Sequence, residues 1–216
     1  MLGAGMHTKL RQCHVESLLV GLIAKLANRL ELAKRLGRRL LARSKGVQLG
    51  HGVIICRNVE FRFTQSPGLP RRINIGDRVQ IESGSILDSY GGVIEIGNDT
   101  YIGPGCIIYG HGGVTIGTDC LISPHCLIFS SNHGIPGPGR RFRSVSDDLA
   151  RTSIASDCWL GSGTSVMAGV SIGQGAMVGS GSVVTANIAE YTMANGVPAK
   201  SRGSRRDNVD PQDRLE

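Results

Sequence analysis

A period of six residues dominates this 216-residue sequence. Apolar side chains recur at every sixth position, and a small or β-branched residue follows most of them four places later. Because self-similarity at a fixed period is the signature of a repeat architecture, this feature limits the possible folds more than any other. The apolar positions are Leu49, Ile55, Phe61; Ile75, Ile81, Leu87; Ile96, Ile102, Ile108; Ile116, Ile122, Ile128; and Ile154, Leu160, Val166, Ile172, Val178, Val184.

The period of six has a direct structural meaning. Six residues provide one short strand and one turn, and three such units close a triangular coil whose apolar side chains point inward. Glycine and asparagine suit the turns, as at Gly97 and Asn98, because they tolerate unusual backbone angles. The sequence therefore predicts an all-β solenoid, a parallel β-helix of about six coils, over residues 47–200.

The cysteines fit the same repeat. Four of the six share the small position, and no Cys-x-x-Cys pair occurs in the sequence. We therefore interpret them as small hydrophobic residues packed in a reducing compartment rather than as redox or metal-binding groups. These four are Cys106, Cys120, Cys126 and Cys158.

The net charge of +7 is concentrated near the start of the chain. Residues 1–46 contain 10 of the 24 Lys and Arg residues but only 2 of the 17 Asp and Glu residues. A nucleic-acid partner for the whole protein is therefore not expected. The apolar stretch before Lys25 is too short for a membrane span and does not resemble a signal peptide, which predicts a cytoplasmic protein.

Both ends of the chain differ from the repeat region. Apolar residues at helical spacing predict a basic amphipathic helix over residues 15–43, within a segment 1–46. The helix could cap the open end of the solenoid, or it could bind anionic lipid at the inner membrane face. The segment 201–216 is a polar tail for which we expect disorder. The helical apolar positions are Val15, Leu19, Leu22, Ile23, Leu26, Leu30, Ala33, Leu36 and Leu40.

The repeat is interrupted most strongly between Ile128 and Ile154, which predicts a protruding loop over residues 132–153. Long loops on repeat scaffolds are disproportionately functional. His133 stands at the foot of this loop, directly after Asn132. Histidine suits general base catalysis because its ordinary pKa of about 6.5 leaves neutral imidazole abundant near pH 7. The competing interpretation is a surface histidine that satisfies turn backbone.

The repeat and two local motifs resemble a known family. Trp159-Leu160-Gly161 and the run from Asn195 to Lys200 are similar to the maltose, galactoside and virginiamycin branch of the hexapeptide-repeat acetyltransferases. This resemblance implies a left-handed β-helix that uses acetyl-CoA as cosubstrate. It implies that His133 is the general base and that a homotrimer holds its active sites between subunits. The implied acceptor is a hydroxyl of a sugar or saccharide.

The same resemblance implies four contacts with coenzyme A. Ser162 and Ser180 match positions that hold the pantetheine arm, Lys200 matches a basic residue near the nucleotide phosphates, and Trp159 matches a tryptophan beside the site. Ala186 departs from the family, where lysine is common, so Arg202 could replace one phosphate contact.

Other assignments stay open at this stage. Asn132, Tyr109 and His111 are candidate acceptor residues, although turn or packing roles would also explain the last two. His111, His125 and His133 would have to supply the ligands of a zinc-dependent β-helix carbonic anhydrase, but their spacing does not resemble that family, and no metal is expected. N-acetylation of an amino sugar or another small acceptor, and a non-catalytic scaffold, are the remaining alternatives.

Overall fold

The computed structural model describes residues 24–27, 29–64 and 72–207. Within these ranges, twenty-two strands are arranged as six triangular coils, a hairpin in the loop and a hairpin at the C-terminal end. The first four coils are β1 (Gln48–Leu49), β2 (Ile54–Ile55), β3 (Glu60–Arg62); β4 (Arg72–Ile75), β5 (Gln80–Ile81), β6 (Ile86–Asp88); β7 (Val93–Ile96), β8 (Tyr101–Ile102), β9 (Ile107–Tyr109); and β10 (Val114–Ile116), β11 (Leu121–Ile122), β12 (Leu127–Phe129). The loop hairpin follows, with β13 (Ser131–His133) and β14 (Asp147–Leu149). The last two coils are β15 (Thr152–Ile154), β16 (Trp159–Leu160), β17 (Ser165–Val166); and β18 (Ser171–Ile172), β19 (Met177–Val178), β20 (Val183–Val184). The C-terminal hairpin is β21 (Thr192–Gly196) and β22 (Ala199–Ser204).

Equivalent strands of successive coils pair in parallel and form the three faces of a left-handed prism. Face A begins with β1 and ends with β18, face B begins with β2 and ends with the C-terminal hairpin, and face C begins with β3 and ends with β20. The register stacks each repeat position on its equivalent, as Ile102, Ile122 and Leu160 do on face B. The predicted fold class, with about six coils and a protruding loop, is confirmed.

The core is built mainly from the inward side chains that the period identified, to which Ile73 and Ile94 add further buried positions. Ile102, Ile122, Ile128 and Leu160 are completely buried, whereas Leu121, one residue before Ile122, is 54% exposed. Burying such a side chain stabilises the fold by about 1.5–3 kcal/mol. The strands are only two to four residues long within the coils, so this stacked core rather than strand length holds them together.

The four repeat cysteines are buried in the core, in agreement with the packing interpretation. Cys106 and Cys126 occupy equivalent corners of adjacent coils, as do Cys120 and Cys158. A hydrogen bond to Cys126 and burial raise the pKa of the Cys106 thiol, so this group stays protonated at neutral pH.

A helix covers the open edge of the first coil. Residues 24–27 and 29–44 are helical, while the predicted helical positions Val15, Leu19, Leu22 and Ile23 lie outside the described residues. Near its C-terminal end, Ala42 is buried and the Arg38 Nε donates to the carbonyl oxygen of Ile55 at 2.7 Å. Arg39 and Arg43 donate to the carbonyl oxygens of Gly50 and Leu49, so arginines satisfy backbone acceptors that would otherwise lack a partner strand.

The other end of the prism is closed by the C-terminal hairpin. β22 pairs with β21 in an antiparallel ladder and continues beyond Lys200, so ordered structure extends past the predicted start of the tail to Asp207. Arg205 anchors this segment through its ion pair with Asp157 at 2.8 Å. Over the described ranges, no helix is both long and apolar enough to cross a bilayer.

Candidate functional site

The loop between β12 and β15 begins and ends as a two-stranded antiparallel ladder. β13 and β14 pair in a register that places His133 directly opposite Asp147, and Asn132 opposite Asp148. Ser130 fixes the start of this ladder, because its hydroxyl donates to the Tyr109 carbonyl oxygen at 2.8 Å and accepts from the Gly112 N–H. Since side chains directly opposite across such a ladder lie close together, the hairpin register brings His133 and Asp147 into contact.

His133 and Asp147 are in close contact through a ring nitrogen and a carboxylate oxygen. The His133 Nδ1 lies 2.6 Å from the Asp147 Oδ1, while 78% of the histidine side chain remains exposed. A carboxylate at this distance favours the neutral tautomer that carries its proton on Nδ1, which leaves the Nε2 lone pair available. A carboxylate in this position can orient a histidine for proton transfer.

The pair lies at the edge of a cavity of about 410 Å³, a size suited to a small-molecule acceptor. Its wall is mainly apolar and aromatic, and its polar groups are gathered on the loop side. The lining residues are Tyr90, Tyr109, Phe129, Ser131, Asn132, His133, Asp147 and Met167. The structure thus brings together three of the predicted site residues: His133, Asn132 and Tyr109.

Two stacked tyrosines form one wall of the cavity. The rings of Tyr90 and Tyr109 lie 4.9 Å apart between centroids. Burial and the neighbouring Tyr90 raise the pKa of the Tyr109 phenol, so it stays neutral and can donate a hydrogen bond. Tyr90 adopts a positive φ of 42°, and Asp88 holds this turn by accepting from the Tyr90 N–H at 2.9 Å.

His111 supports the site from beneath rather than lining it. It is buried, its ring meets the Tyr90 ring edge-on at 4.7 Å, and its Nδ1 lies 3.4 Å from the Asp147 Oδ2. That last contact is not aligned as a hydrogen bond, and the Nδ1 has no other partner within the described part of the chain. His111 therefore packs against Asp147 and Tyr90, and it is not among the residues that line the cavity at His133.

The remaining predicted site residues lie elsewhere on the chain. Ser162 and Ser180 are exposed at equivalent turns of adjacent coils, between faces B and C. The two turns are joined by a hydrogen bond from the Gly181 N–H to the Ser162 carbonyl oxygen at 2.8 Å. Lys200 is exposed on β22. Trp159 projects from face B beside a smaller cavity of about 280 Å³ and donates to the Ser123 hydroxyl at 3.0 Å. None of these four lines the cavity at His133.

The histidines do not converge on a metal-binding arrangement. His125 occupies a corner between faces B and C with a φ of 60°, packed beneath Gly105, whereas His133 follows face C on the loop. In the described ranges, no group of three or more His, Cys, Asp or Glu side chains is placed to hold a metal ion.

Two segments of the chain match family models of hexapeptide-repeat transferases. Residues 151–186 match the bacterial transferase hexapeptide model of six repeats, and residues 93–123 match the hexapeptide repeat of succinyl-transferase. The chain carries hexapeptide-repeat transferase domains. This confirms the hexapeptide repeat predicted from the sequence, and both segments lie within the coils described above.

Solved structures with the same fold include several acyltransferases. A structure of AntD, an N-acyltransferase from Bacillus cereus in complex with dTDP-4-amino-4,6-dideoxyglucose and coenzyme A, is 20% identical with a TM-score of 0.64, over 77% of this chain and 88% of that chain. A maltose O-acetyltransferase from Clostridium difficile 630 is 26% identical with a TM-score of 0.54, over 60% and 68% of the two chains. No curated protein sequence matches the chain.

Asp147, the partner of His133, is the most important site residue that the sequence interpretation missed, beside the cavity-lining Tyr90, Phe129, Ser131 and Met167. It lies 14 positions after His133, and only the hairpin register makes the two residues neighbours. A signal was nevertheless present, because a loop that leaves a solenoid and returns to the next coil must bring its two ends together. Polar residues at the returning end of such a loop are therefore candidates to partner polar residues at its start.

Proposed function

We propose that the protein transfers an acetyl group from acetyl-CoA to a hydroxyl of a sugar or saccharide, with His133 as general base. The observation that carries this proposal is the 2.6 Å contact between His133 Nδ1 and Asp147 Oδ1 at the edge of an aromatic-walled cavity. A second support is the family, whose repeats account for the scaffold.

The proposed reaction needs one proton acceptor and no metal. As the acceptor oxygen attacks the thioester carbonyl, its proton passes to the Nε2 of His133, and Asp147 stabilises the imidazolium that forms. Collapse of the tetrahedral intermediate breaks the carbon–sulfur bond. The proton then moves from His133 to the departing thiolate, so the products are the acetyl ester and free coenzyme A.

The aromatic wall supports a saccharide acceptor. Tyr90, Tyr109 and Phe129 offer apolar ring surface against which the C–H face of a sugar can pack, while Asn132 and the Tyr109 hydroxyl offer hydrogen bonds. The AntD structure holds an amino sugar nucleotide beside coenzyme A, and this favours N-acetylation of an amino sugar as the second candidate. The two candidates share the same cavity and the same base.

For coenzyme A we propose the contacts implied by the family motifs: Ser162 and Ser180 along the pantetheine arm, Lys200 near the phosphates, and Trp159 beside the site. Their separation from the His133 cavity in one chain is accounted for if the protein is a homotrimer and a neighbouring subunit supplies them. We further propose that the protein acts in the cytoplasm, where acetyl-CoA is available.

Replacing His133 by alanine tests the proposal most directly. We expect His133→Ala to reduce the rate of acetyl transfer by more than about a hundredfold, because the acceptor proton would lack a base. Release of free thiol from acetyl-CoA, measured with a panel of sugars and amino sugars, gives the rate and identifies the acceptor. Lability of the product to mild alkali would separate an ester from an amide.

His51→Ala is the matched control, because His51 is an exposed histidine on the first coil, away from the cavity. It should retain wild-type activity. Full activity in His133→Ala with an acceptor that the wild-type enzyme uses would refute the assignment of the base. Thermal stabilisation of the protein by coenzyme A provides an independent measurement of cosubstrate binding.

A further inference from the structure

The N-terminal helix directs its apolar side away from its own protein. Leu26, Leu30, Leu36 and Leu40, here called the leucine face, are each 56–57% exposed. At about 100° per residue, the centre of this face lies about 180° around the helix from Ala42, which is buried against the first coil. A helix that merely capped the solenoid would bury its leucines there.

Charged residues occupy the side of the helix that contacts the solenoid. Arg38 donates to the Ile55 carbonyl oxygen and pairs with Glu31 at 2.9 Å, and Arg39 reaches the Gly50 carbonyl oxygen. The contact combines these arginine hydrogen bonds with the buried Ala42 and is made by residues 38–43. It therefore anchors the helix, while the leucine face stays largely exposed to solvent beside the part of the chain that the structure describes.

Three further cations stand near the leucine face with no described partner. Lys25, Arg29 and Lys34 are exposed and make no hydrogen bond or ion pair with the residues that the structure describes. Together with the capping arginines, they give the described helix and the turn after it eight basic residues against the single acid Glu31. The basic residues are Lys25, Arg29, Lys34, Arg35, Arg38, Arg39, Arg43 and Lys45.

We propose that this helix docks the protein on an anionic lipid bilayer, with the leucine face inserted at the interface and Lys25, Arg29 and Lys34 against the headgroups. An exposed apolar stripe rimmed by lysine and arginine is the pattern of a helix that lies in the membrane surface. Negative headgroups also match the charge of the helix.

A second copy of the helix is the weaker match for the same face. Two such helices would bring like charges together, and Gly37 beside the leucine face destabilises the extended helix that a paired coil requires. An anionic bilayer attracts the basic residues instead of repelling them. Its apolar interior can also take up leucine side chains without a surface of complementary shape. The positive charge of the helix and its exposed leucines thus both favour an anionic bilayer over a second copy of the helix.

Flotation of the full-length protein with vesicles tests the proposal. We expect binding to vesicles of phosphatidylcholine with phosphatidylglycerol, much weaker binding to phosphatidylcholine alone, and release as salt is raised. The triple variant Leu30→Gln, Leu36→Gln, Leu40→Gln keeps good helix formers and should bind at least about a hundredfold more weakly. The variant Lys25→Gln, Arg29→Gln, Lys34→Gln should lose more than about tenfold.

Ile135→Gln is the matched control, because Ile135 is 88% exposed on the loop and is remote in sequence from the helix. It should float as the wild type does. Equal binding to both vesicle types, or no binding at all, would overturn the proposal. It would also be overturned if the leucine variant lowered the oligomeric mass and left vesicle binding unchanged, since that result assigns the face to a second copy. Flotation requires no acetyl-CoA, so its outcome is independent of the catalytic proposal.

Discussion

The contact between His133 and Asp147 determines which imidazole nitrogen can act as a base. Asp147 Oδ1 lies 2.6 Å from Nδ1, and a carboxylate there favours the tautomer of the neutral ring that carries its proton on Nδ1 and leaves Nε2 as an acceptor. His133 itself is mostly exposed, so little besides this carboxylate restrains its ring. Orientation of the proposed base therefore depends on Asp147, a residue that need not touch the substrate.

Asp147→Asn should lower kcat by at least about tenfold while leaving KM for acetyl-CoA nearly unchanged. An asparagine amide can face Nδ1 with its N–H, which favours the wrong tautomer of His133 without emptying the cavity. Steady-state kinetics of thiol release measure both constants.

Asp148→Asn supplies the control for that variant, since Asp148 is the adjacent exposed residue and pairs in register with Asn132 instead. It removes the same charge from the same strand. Equal losses in the two variants would show that loop charge, not orientation of His133, is responsible.

Within each coil, neighbouring residues of one strand have opposite environments. In β11, Ile122 is completely buried between its equivalents in adjacent coils, whereas Leu121 is 54% exposed on face B. Ile122→Ala should destabilise the protein by about 2–5 kcal/mol, because the lost side chain leaves a cavity that the stacked coils cannot close. Leu121→Ala should cost much less, and urea unfolding of both variants measures the difference. Similar shifts of the unfolding midpoint would contradict this contrast in burial.

The coils could be predicted from sequence because their structure is local and periodic. Each apolar position, such as Ile102 or Ile122, repeats the environment of the one before it, so a single period determines strand, turn and inward direction. The loop has no such period. Contact between His133 and Asp147 depends on the register of a hairpin whose strands are joined by 13 residues, and residue spacing alone does not give that register.

The N-terminal helix shows a second limit of sequence reasoning. Its leucine spacing predicted an amphipathic helix, and residues 29–44 are helical. The spacing could not indicate which side would contact the solenoid, because both apolar and arginine side chains can cover a sheet edge. The arginine side of the helix contacts the first coil because carbonyl oxygens at the edge of that coil need hydrogen-bond donors, which leucine cannot provide.

At the scale of the whole molecule, the proposed site is distributed over two corners of the prism. The His133 cavity follows face C on the loop side, and Ser162 and Ser180 lie at the opposite end of the face C strands, where faces B and C meet. Within a single chain, His133 therefore lies at a different corner from Ser162 and Ser180, the residues proposed to hold the pantetheine arm. Symmetric association would place one corner of each subunit beside the other corner of its neighbour.

Mixing two inactive variants tests this arrangement. His133→Ala lacks the proposed base. Ser180 is exposed on its turn, so the large side chain of Ser180→Trp should occupy the space proposed for the pantetheine arm. If each site takes His133 from one subunit and the Ser180 corner from the next, co-refolding equal amounts should restore about a quarter of the wild-type activity, since one pairing in four combines two intact halves. Sites contained within single chains would give no recovery, because every chain would carry one defect. The regained thiol-release rate, measured beside each variant refolded alone, therefore decides whether the catalytic unit is one subunit or a pair.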